Sequence, residues 1–463
     1  MNKNKTINMT EGPIVGPLFL FILPMIGSSL FQQLYNTVDF LFVGNILNKT
    51  SAAAVGASSS LITCTIGLFS GIATGTSVVM SQYYGAGNKK KATEALHASV
   101  IFGLIGGIVV MILGILLARP VLVLLNTPAT AIPEAVVYMQ IYMISVPMLV
   151  FYNMVSGAMR SYGDSDTPFK VLVICGFVNV AADYFFMKII PLGVAGVSIA
   201  TAVSQGLSAV LICIAASRED RPVPLSFQAM KVHGSVTLSE HIRIHWEVMK
   251  EVLRIGVPTG VQSVLITFSN VIVQYYINAF GETSVAAFAA YYKVENFVYL
   301  PIVAFGQAAT TFAGQNYGAG KLDRVRRGTI ITVILGAVSV AAIAGVILLF
   351  PRTVFTWFIK DQDVVTDALV IATLTFPLYW IYPVLEVVGA SLRGMGYALT
   401  SMIIILTNLG ALRILLLAVF SAKFHTLRSL AAVYPITWAG AAVCFVIAFI
   451  VVMSGLMKKE KGN

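Results

Sequence analysis

The chain alternates long apolar stretches with short polar connections along its whole length. Twelve stretches of about 20 residues or more are long enough to cross a bilayer. They lie near residues 14–43, 52–81, 95–118, 133–159, 168–189, 192–216, 250–279, 285–314, 328–350, 364–390, 398–420 and 429–456. Because backbone inside a bilayer must satisfy its own hydrogen bonds, and these stretches are too long for barrel strands, the pattern predicts twelve helices.

The second half of the chain repeats short motifs of the first half at one constant spacing. Residues 82–87 (QYYGAG) return as 315–320 (QNYGAG), each 233 positions later. At the same spacing, residues 50–54 (TSAAA) return as 283–287 (TSVAA), and 160–163 (RSYG) as 393–396 (RGMG). With six spans each, the halves enter the bilayer with the same polarity. Such parallel repeats are typical of transporters that move one half against the other.

The composition excludes a water-soluble protein. Hydrophobic residues make up 57% of the chain and charged residues only 11%, against roughly 25% charged in soluble domains. We therefore predict an all-α polytopic membrane protein with twelve transmembrane helices in two pseudo-symmetric six-helix bundles around a central cavity. The predicted bundles are residues 1–217 and 250–463. The charged stretch at 218–249 is predicted to be a cytoplasmic connector.

The net charge of +10 indicates orientation in the membrane rather than binding to nucleic acid. If both termini are cytoplasmic, the inner loops hold about 21 of the 30 lysines and arginines, and the outer loops about seven. Short cytoplasmic loops are enriched in basic residues. This distribution predicts a multi-pass protein of the cell (cytoplasmic) membrane with both termini in the cytoplasm.

Carboxylates within membrane spans are costly and indicate function. Asp39 in the first span and Asp183 in the fifth lie at similar depths near the same membrane face, where their side chains can meet. Asn179 precedes Asp183 by one helical turn, and Thr201 lies at a comparable depth in the next span. Two poorly solvated carboxylates favour proton uptake, and the four oxygen-bearing side chains also suit Na⁺. A fully satisfied polar contact between helices is the alternative.

The second half lacks this arrangement, since Ile272 occupies the position equivalent to Asp39. We therefore expect the coupling ion in the first bundle. Lys293 and Glu295 are separate polar residues of the eighth span, which either line the cavity or reach partners within their own bundle. Pro24 can act as a hinge in the first span or simply hold a static kink.

No nucleotide-binding motif of the G-x-x-x-x-G-K-[ST] type occurs, and no soluble segment is long enough for an ATPase. The sequence therefore predicts no cofactor. An ion gradient, H⁺ or Na⁺, or a partner protein must supply the energy for transport.

The chain resembles the multidrug and toxic compound extrusion (MATE) family along essentially its whole length. The resemblance rests on Pro24 with Asp39 and Gly44, the two Q-x-x-G-A-G loops, Arg160-x-x-Gly163 with Pro168, and Asn179-x-x-x-Asp183. It implies two six-helix bundles in a V shape and antiport of organic cations against Na⁺ or H⁺. The residues that match the family's polar cluster in the first bundle are Gln32, Tyr35, Asp39, Tyr138, Asn153, Asn179, Asp183 and Thr201.

One branch of the family also carries an acidic residue about eight positions after the proline of the seventh span. Here Pro258 is followed at that distance by Ile266. This departure favours coupling through the carboxylates of the first bundle.

The sequence thus predicts a secondary antiporter, not an enzyme, that exports amphipathic or cationic drugs in exchange for H⁺ or Na⁺. The expected substrate cavity contains Gln32, Tyr35, Tyr138, Asn153, Lys293 and Glu295. We expect a monomer in the lipid bilayer that binds no nucleic acid. One alternative is a lipid-linked oligosaccharide flippase, although few basic residues, such as Lys293 and Arg413, lie well within the predicted spans. A second is an intramembrane enzyme, for which the 163–166 segment supplies too few ligands.

Overall fold

The computed structural model describes residues 6–47, 49–125, 127–226 and 238–462, and all regular structure in these ranges is helical. The first six helices are α1 (Val15–Ile46), α2 (Lys49–Gly85), α3 (Lys89–Leu124), α4 (Ile132–Ser161), α5 (Asp166–Tyr184) and α6 (Val194–Ala216). The next six are α7 (Leu238–Asn278), α8 (Glu282–Gly318), α9 (Leu322–Leu349), α10 (Pro351–Thr356), α11 (Gln362–Thr375) and α12 (Ile381–Gly394). The last three are α13 (Ala398–Ile405), α14 (Arg413–Phe424) and α15 (Leu427–Gly462).

The described residues contain 11 helices that are long and apolar enough to span a membrane, and a bent pair can form a twelfth span. Two short π-helical segments take part in these spans. Phe185–Ile189 continues α5, and Leu406–Leu412 joins α13 to α14. The prediction of an all-helical membrane protein is confirmed, with 11 to 12 spans.

The bent pair replaces the single helix predicted over 364–390. Helix α11 and its terminal 3₁₀ turn end at Leu378, α12 begins at Ile381, and the two axes differ by 54°. Pro377 and Pro383 flank the break. Because proline lacks the N–H that continues a helix and clashes with the preceding turn, two prolines six residues apart account for the bend.

The chain divides into two compact units. The first unit contains residues 1–7 and 23–260, and the second contains 8–22 and 261–463. These units differ from the predicted bundles at two places: residues 8–22 group with the second half, and 250–260 with the first. Helices α1 and α7 therefore each change unit along their length.

In the first unit, α4 packs against α2, α3 and α6, and α5 packs against α6. Glycines allow α2 and α7 to approach at backbone distance. A Cβ atom placed on Gly71 would lie 2.1 Å from the backbone nitrogen of Gly260, and one on Gly75 would lie 2.4 Å from the carbonyl oxygen of Val252. No larger residue fits at these two positions without separating the helices.

The polar segment after α6 is fastened to the first unit by a buried ion pair. Arg221 and Asp164 form this pair, with side chains 2% and 8% exposed, and Arg221 Nε also donates to the Ala215 carbonyl at 3.1 Å. The pair therefore closes the start of the predicted connector onto the loop between α4 and α5. Residues 227–237 of that connector lie outside the described residues.

In the second unit, α8 packs against α9, α11 and α12, and α12 packs against α15. A short segment before α1, residues 8–12, also belongs here and is called the N-terminal strap. Asn316 and Lys321 donate to its carbonyls at positions 9 and 10, at 3.1 and 3.0 Å. Arg324 donates to the carbonyls of residues 9, 11 and 12 at 3.1, 2.9 and 2.7 Å. Three side chains thus hold four consecutive carbonyls of the strap.

Two of the three duplicated sequence motifs, those at 82–87 and 160–163 and their repeats, are helix C-terminal caps. Gly87 and Gly320 follow α2 and α8 with φ of 73° and 70°, and Gly163 and Gly396 follow α4 and α12 with φ of 92° and 95°. The residue after each glycine donates its N–H to a carbonyl five positions earlier, at 2.8 to 3.1 Å. Glycine adopts this left-handed conformation without steric cost, so both halves retain it where a helix must stop.

Candidate functional site

Helices α1 and α5 lie side by side in the first unit, and small residues set their contact. A Cβ atom on Gly176 of α5 would lie 2.4 Å from the ring of Phe31 in α1, and one on Gly27 of α1 would lie 3.0 Å from Phe169. The Phe31 ring also contacts Phe177, with centroids 5.3 Å apart. These contacts pair the two helices in parallel register, at nearly constant sequence separation.

The same register brings Asp39 to Asp183. Asp39 follows Phe31 by eight residues and Asp183 follows Gly176 by seven, about two helical turns in each case. The two carboxyl groups are close enough to share a hydrogen bond. Asp183 is fully buried and Asp39 is half-buried. A hydrogen bond between two carboxyl groups requires that one of them carries a proton.

If neither carboxyl group is protonated, these oxygens have no hydrogen-bond donor. Asp39 Oδ1, both carboxyl oxygens of Asp183 and Asn179 Oδ1 are buried and have no hydrogen-bond donor among the described residues. Asn179 lies one turn before Asp183 on the same face of α5 and is 3% exposed. Four buried oxygens without donors form an arrangement that a cation or a proton would stabilise.

Aromatic side chains surround the two carboxyl groups. Tyr138 and Tyr142 of α4 pack together with ring centroids 6.2 Å apart, and both are buried. Asp39 lies within electrostatic reach of Tyr35, Tyr138 and Tyr142. Asp183 lies within reach of Tyr138. The predicted carboxylate pair and two of the predicted cavity tyrosines therefore belong to one cluster.

The other predicted residues of the first half lie at varied positions. Gln32 is exposed and lies one helical turn before Tyr35 on α1. The hydroxyl of Thr201 donates to the Val197 carbonyl of its own helix at 3.1 Å, and Asn153 is half-buried in α4. Pro24 lies within α1, which continues without a break from Val15 to Ile46. Its predicted role as a hinge stays a prediction.

In the second half, Lys293 and Glu295 point to different surroundings. Lys293 is exposed, whereas Glu295 accepts a hydrogen bond from Tyr379 Oη at 2.8 Å. Ile272, at the position equivalent to Asp39, is 37% exposed, and Ile266 packs against the second-half core. No carboxylate therefore occupies either of these two positions on α7.

The structure also shows polar contacts that the sequence did not predict. Arg413, at the start of α14, is 5% exposed and donates to Thr437 Oγ1 at 3.4 Å. Tyr292 and Tyr434 join their hydroxyls at 2.6 Å. An arginine inside an apolar span was visible in the sequence. Its tyrosine neighbours Tyr292 and Tyr434 come from two other helices, and nothing in their local sequence distinguishes them from packing aromatics.

An all-helical chain with 11 to 12 spans, a duplicated architecture and a buried carboxylate pair within its spans has the features of a membrane transporter. The family model MatE matches residues 24–185 and, a second time, residues 258–419. Together the two matches cover most of the chain, one in each sequence repeat. The chain belongs to the MatE family, which is a family of transporters and not of enzymes.

The relatives agree with this assignment. The chain is 26% identical to the probable multidrug resistance protein YoeA of Bacillus subtilis, over 82% of this chain and 81% of the relative. It is 25% identical to the probable multidrug resistance protein NorM of Thermotoga maritima, over 86% of this chain and 83% of the relative. It is 18% identical to the multidrug export protein MepA of Staphylococcus aureus strain MSSA476, over 85% and 82%.

Solved structures share the fold over almost the full length. An outward-facing multidrug resistance MATE family transporter of the MOP superfamily superposes with a TM-score of 0.90, at 21% identity, covering 99% of this chain and 100% of that one. A MOP superfamily transporter from Pyrococcus furiosus, described by the reversed polarity of its binding pocket, gives a TM-score of 0.88 at 21% identity, over 99% and 100%. The helical arrangement is therefore the MATE fold.

Proposed function

We propose that this transporter exports amphipathic, often cationic, organic compounds in exchange for H⁺ or Na⁺, and that Asp39 and Asp183 couple the two movements. The observation that supports this proposal most directly is the pair of adjacent carboxyl groups in the first unit. Their buried oxygens have no hydrogen-bond donors among the described residues. The names of the relatives, which refer to multidrug resistance and export, support the substrate class.

The coupling follows from the charge of the pair. Two ionised carboxylates about 4 Å apart repel each other by about 4 kcal/mol at an effective dielectric constant of about 20. One positive charge relieves this repulsion, and a proton, Na⁺ or an organic cation can each supply it. Because the site is small and mostly buried, we infer that these cations exclude one another. Mutually exclusive occupancy of one site is what exchange of substrate for ion requires.

The surrounding groups fit this role. Tyr35, Tyr138 and Tyr142 offer aromatic faces, which attract organic cations without imposing strict geometry. For Na⁺, the oxygens of Asp39, Asp183, Asn179 and Thr201 are the candidate ligands, since they are hard oxygen donors. The excess of basic residues in the loops on one side supports a protein of the cell membrane with cytoplasmic termini.

The test is ethidium efflux from proteoliposomes that carry an imposed Na⁺ gradient or an imposed pH gradient, each alone. We expect Asp39→Asn and Asp183→Asn to insert normally and to lose gradient-driven efflux, because an amide cannot alternate between charged and neutral forms. The gradient that drives the wild-type protein identifies the coupling ion.

Asp166→Asn is the matched control. Asp166 lies at the start of α5, the helix that carries Asp183, but its side chain is 57% exposed and pairs with Lys170. The same substitution there should leave efflux unchanged. Full-rate efflux by Asp39→Asn, driven by either gradient, would contradict the proposed coupling.

A further inference from the structure

The third duplicated motif, T-S-x-A-A, provides one serine–carboxylate contact in each half. Ser51 Oγ donates to Glu134 Oε2 at 2.6 Å, and Ser284 Oγ donates to Asp367 Oδ2 at 3.3 Å. The two serines are 233 positions apart, and so are the two acidic residues. Each contact joins the start of one helix to another helix of the same unit, so both halves share its structural role.

In the first unit, the carboxylate of this contact also lines an open pocket. The pocket has a volume of about 570 Å³ and lies where α1 ends and α2, α4 and α6 begin. Its lining includes Leu47, Ser51, Glu134, Val137, Leu192 and Val194. Glu134 is the single ionisable residue among the described residues that line it, and it takes part in none of the four ion pairs found in the described ranges. The pocket therefore presents one carboxylate in mostly apolar surroundings.

This pocket lies outward of the Asp39–Asp183 pair. On α4, Tyr138 follows Glu134 by one turn on the same face and lies within electrostatic reach of both carboxyl groups. On α1, Leu47 follows Asp39 by eight residues, which is about two turns or about 12 Å along the helix axis. With cytoplasmic termini, as proposed above, this end of the first unit faces the outside. The face of α4 that carries Glu134 thus leads from the outside to the pair.

The second half has the serine–carboxylate contact without such a route. The residues equivalent to Tyr138, Asp39 and Asp183 are Ile371, Ile272 and Leu416. Ile371 follows Asp367 by one turn and is fully buried. An apolar side chain therefore lies where the first half has a tyrosine, and no carboxylate occupies either deeper position. The contact with serine accounts for an acidic residue in both halves, but it does not account for the polar path beneath Glu134.

We propose that Glu134 is the entry site at which the coupling cation, H⁺ or Na⁺, is captured from the outside before it passes to Asp39 and Asp183. A carboxylate in a concave, mostly apolar pocket focuses its field and raises the local concentration of cations. One carboxylate in an open pocket binds a monovalent cation weakly, so the cation can move on to the buried pair. Glu134 would thereby set how much external cation is needed for exchange.

This inference rests on the proposed function, since the captured cation is the one that drives exchange at Asp39 and Asp183. It predicts a separate kinetic signature, however. Loss of the pair should abolish gradient-driven efflux, whereas loss of the charge at Glu134 should change the cation concentration at which efflux is half-maximal. A purely structural role for Glu134 would change the maximal rate instead.

The experiment measures ethidium efflux from proteoliposomes over a range of external concentrations of the cation that drives the wild-type protein, at constant ionic strength. Glu134→Gln removes the charge but keeps a side-chain oxygen that accepts from Ser51. We expect it to raise the half-maximal cation concentration at least about threefold with an unchanged maximal rate, because field focusing raises local cation concentration by about tenfold or more. Glu134→Asp keeps the charge and should stay close to the wild-type value.

Asp367→Asn is the matched control, because it makes the same change to the equivalent contact with Ser284. It should leave the half-maximal cation concentration unchanged. Val137→Lys is an independent variant, since Val137 lines the pocket and is 43% exposed. It places a positive charge beside Glu134 and should also raise the half-maximal concentration at least about threefold, whether or not the Glu134 variants insert into the membrane.

Three results would overturn the proposal. Glu134→Gln or Val137→Lys could have the same half-maximal concentration as the wild-type protein, which would show that charge in the pocket does not affect cation capture. Glu134→Gln could lower the maximal rate alone, which would make the residue structural. Asp367→Asn could raise the half-maximal concentration as much as Glu134→Gln, which would make it a general effect of charge. Full gradient-driven efflux by Asp39→Asn would instead contradict the coupling proposal, and this inference with it, so the two failures give different results.

Discussion

The contact between α2 and α7 makes a sharp prediction for Gly71→Ala. The new Cβ would lie 2.1 Å from the nitrogen of Gly260, 2.3 Å from its Cα and 2.8 Å from the carbonyl oxygen of Gly256. Carbon atoms in ordinary contact are about 3.5–4.0 Å apart, so the helices must separate by more than about 1 Å. All three obstructing atoms belong to the backbone, and no side-chain rotation can relieve the overlap. We expect Gly71→Ala to lower the free energy of unfolding by about 1–3 kcal/mol or more.

Gly56→Ala on the same helix is the matched control. A Cβ at Gly56 would meet nothing within 4 Å, and alanine is favoured over glycine in an exposed helix by about 1 kcal/mol. Relative to the wild-type protein, Gly71→Ala should therefore be less stable and Gly56→Ala slightly more stable. Their free energies of unfolding should differ by about 2–4 kcal/mol.

The assay is thermal unfolding of purified protein, followed by intrinsic fluorescence, with efflux measured in parallel. Gly71→Ala should unfold several degrees below the wild-type protein, and Gly56→Ala at or slightly above it. If Gly71→Ala unfolds at the same midpoint as Gly56→Ala, the close contact between α2 and α7 is not a stabilising feature, and the reasoning from backbone distances is refuted.

Two further predictions concern Arg221 and Arg324. Arg221→Ala leaves Asp164 as an uncompensated buried charge, so we expect it to lower the free energy of unfolding by about 3–5 kcal/mol. Lys170→Ala breaks an exposed pair and should lower the free energy of unfolding by at most about 1 kcal/mol. Equal losses would show that burial of the first pair is unimportant. Arg324→Gln removes three hydrogen bonds to the N-terminal strap, so peptides covering residues 8–12 should exchange amide hydrogens at least about tenfold faster. Arg326→Gln is the control: its side chain is half-exposed, and the substitution should not change that exchange rate. Unchanged exchange in Arg324→Gln would rule out the strap contacts as the source of protection.

The membrane architecture was largely predictable from the sequence because it depends on composition and length alone. Spans of 20 or more apolar residues must be helical in a bilayer, whatever their neighbours. The break between α11 and α12 was not predicted, although Pro377 and Pro383 mark it, since proline is often tolerated within membrane helices. The sequence gives no means of deciding whether neighbouring helices restore the lost hydrogen bonds.

The candidate site was likewise predictable in one part and not in another. The proximity of Asp39 and Asp183 was predictable, because both lie at similar depths in helices that run in the same direction. The cluster around Glu295 and Arg413 was not, because it combines Glu295 of α8, Tyr379 beside the break before α12, Arg413 of α14 and Trp438 of α15. Contacts among four separate helices depend on their rotation about their own axes. Hydropathy does not fix that rotation where every face is apolar.

The N-terminal strap has a practical consequence for anyone who wishes to produce and modify this protein. Met9 is fully buried and its carbonyl is held by two side chains, so a sequence inserted directly before it would have to displace that segment. At the opposite terminus, α15 ends in exposed residues, among them Lys458 and Glu460. Affinity tags, fluorescent reporters and surface-immobilisation handles should therefore be placed after the last helix, where their attachment leaves the packed segment ahead of α1 undisturbed.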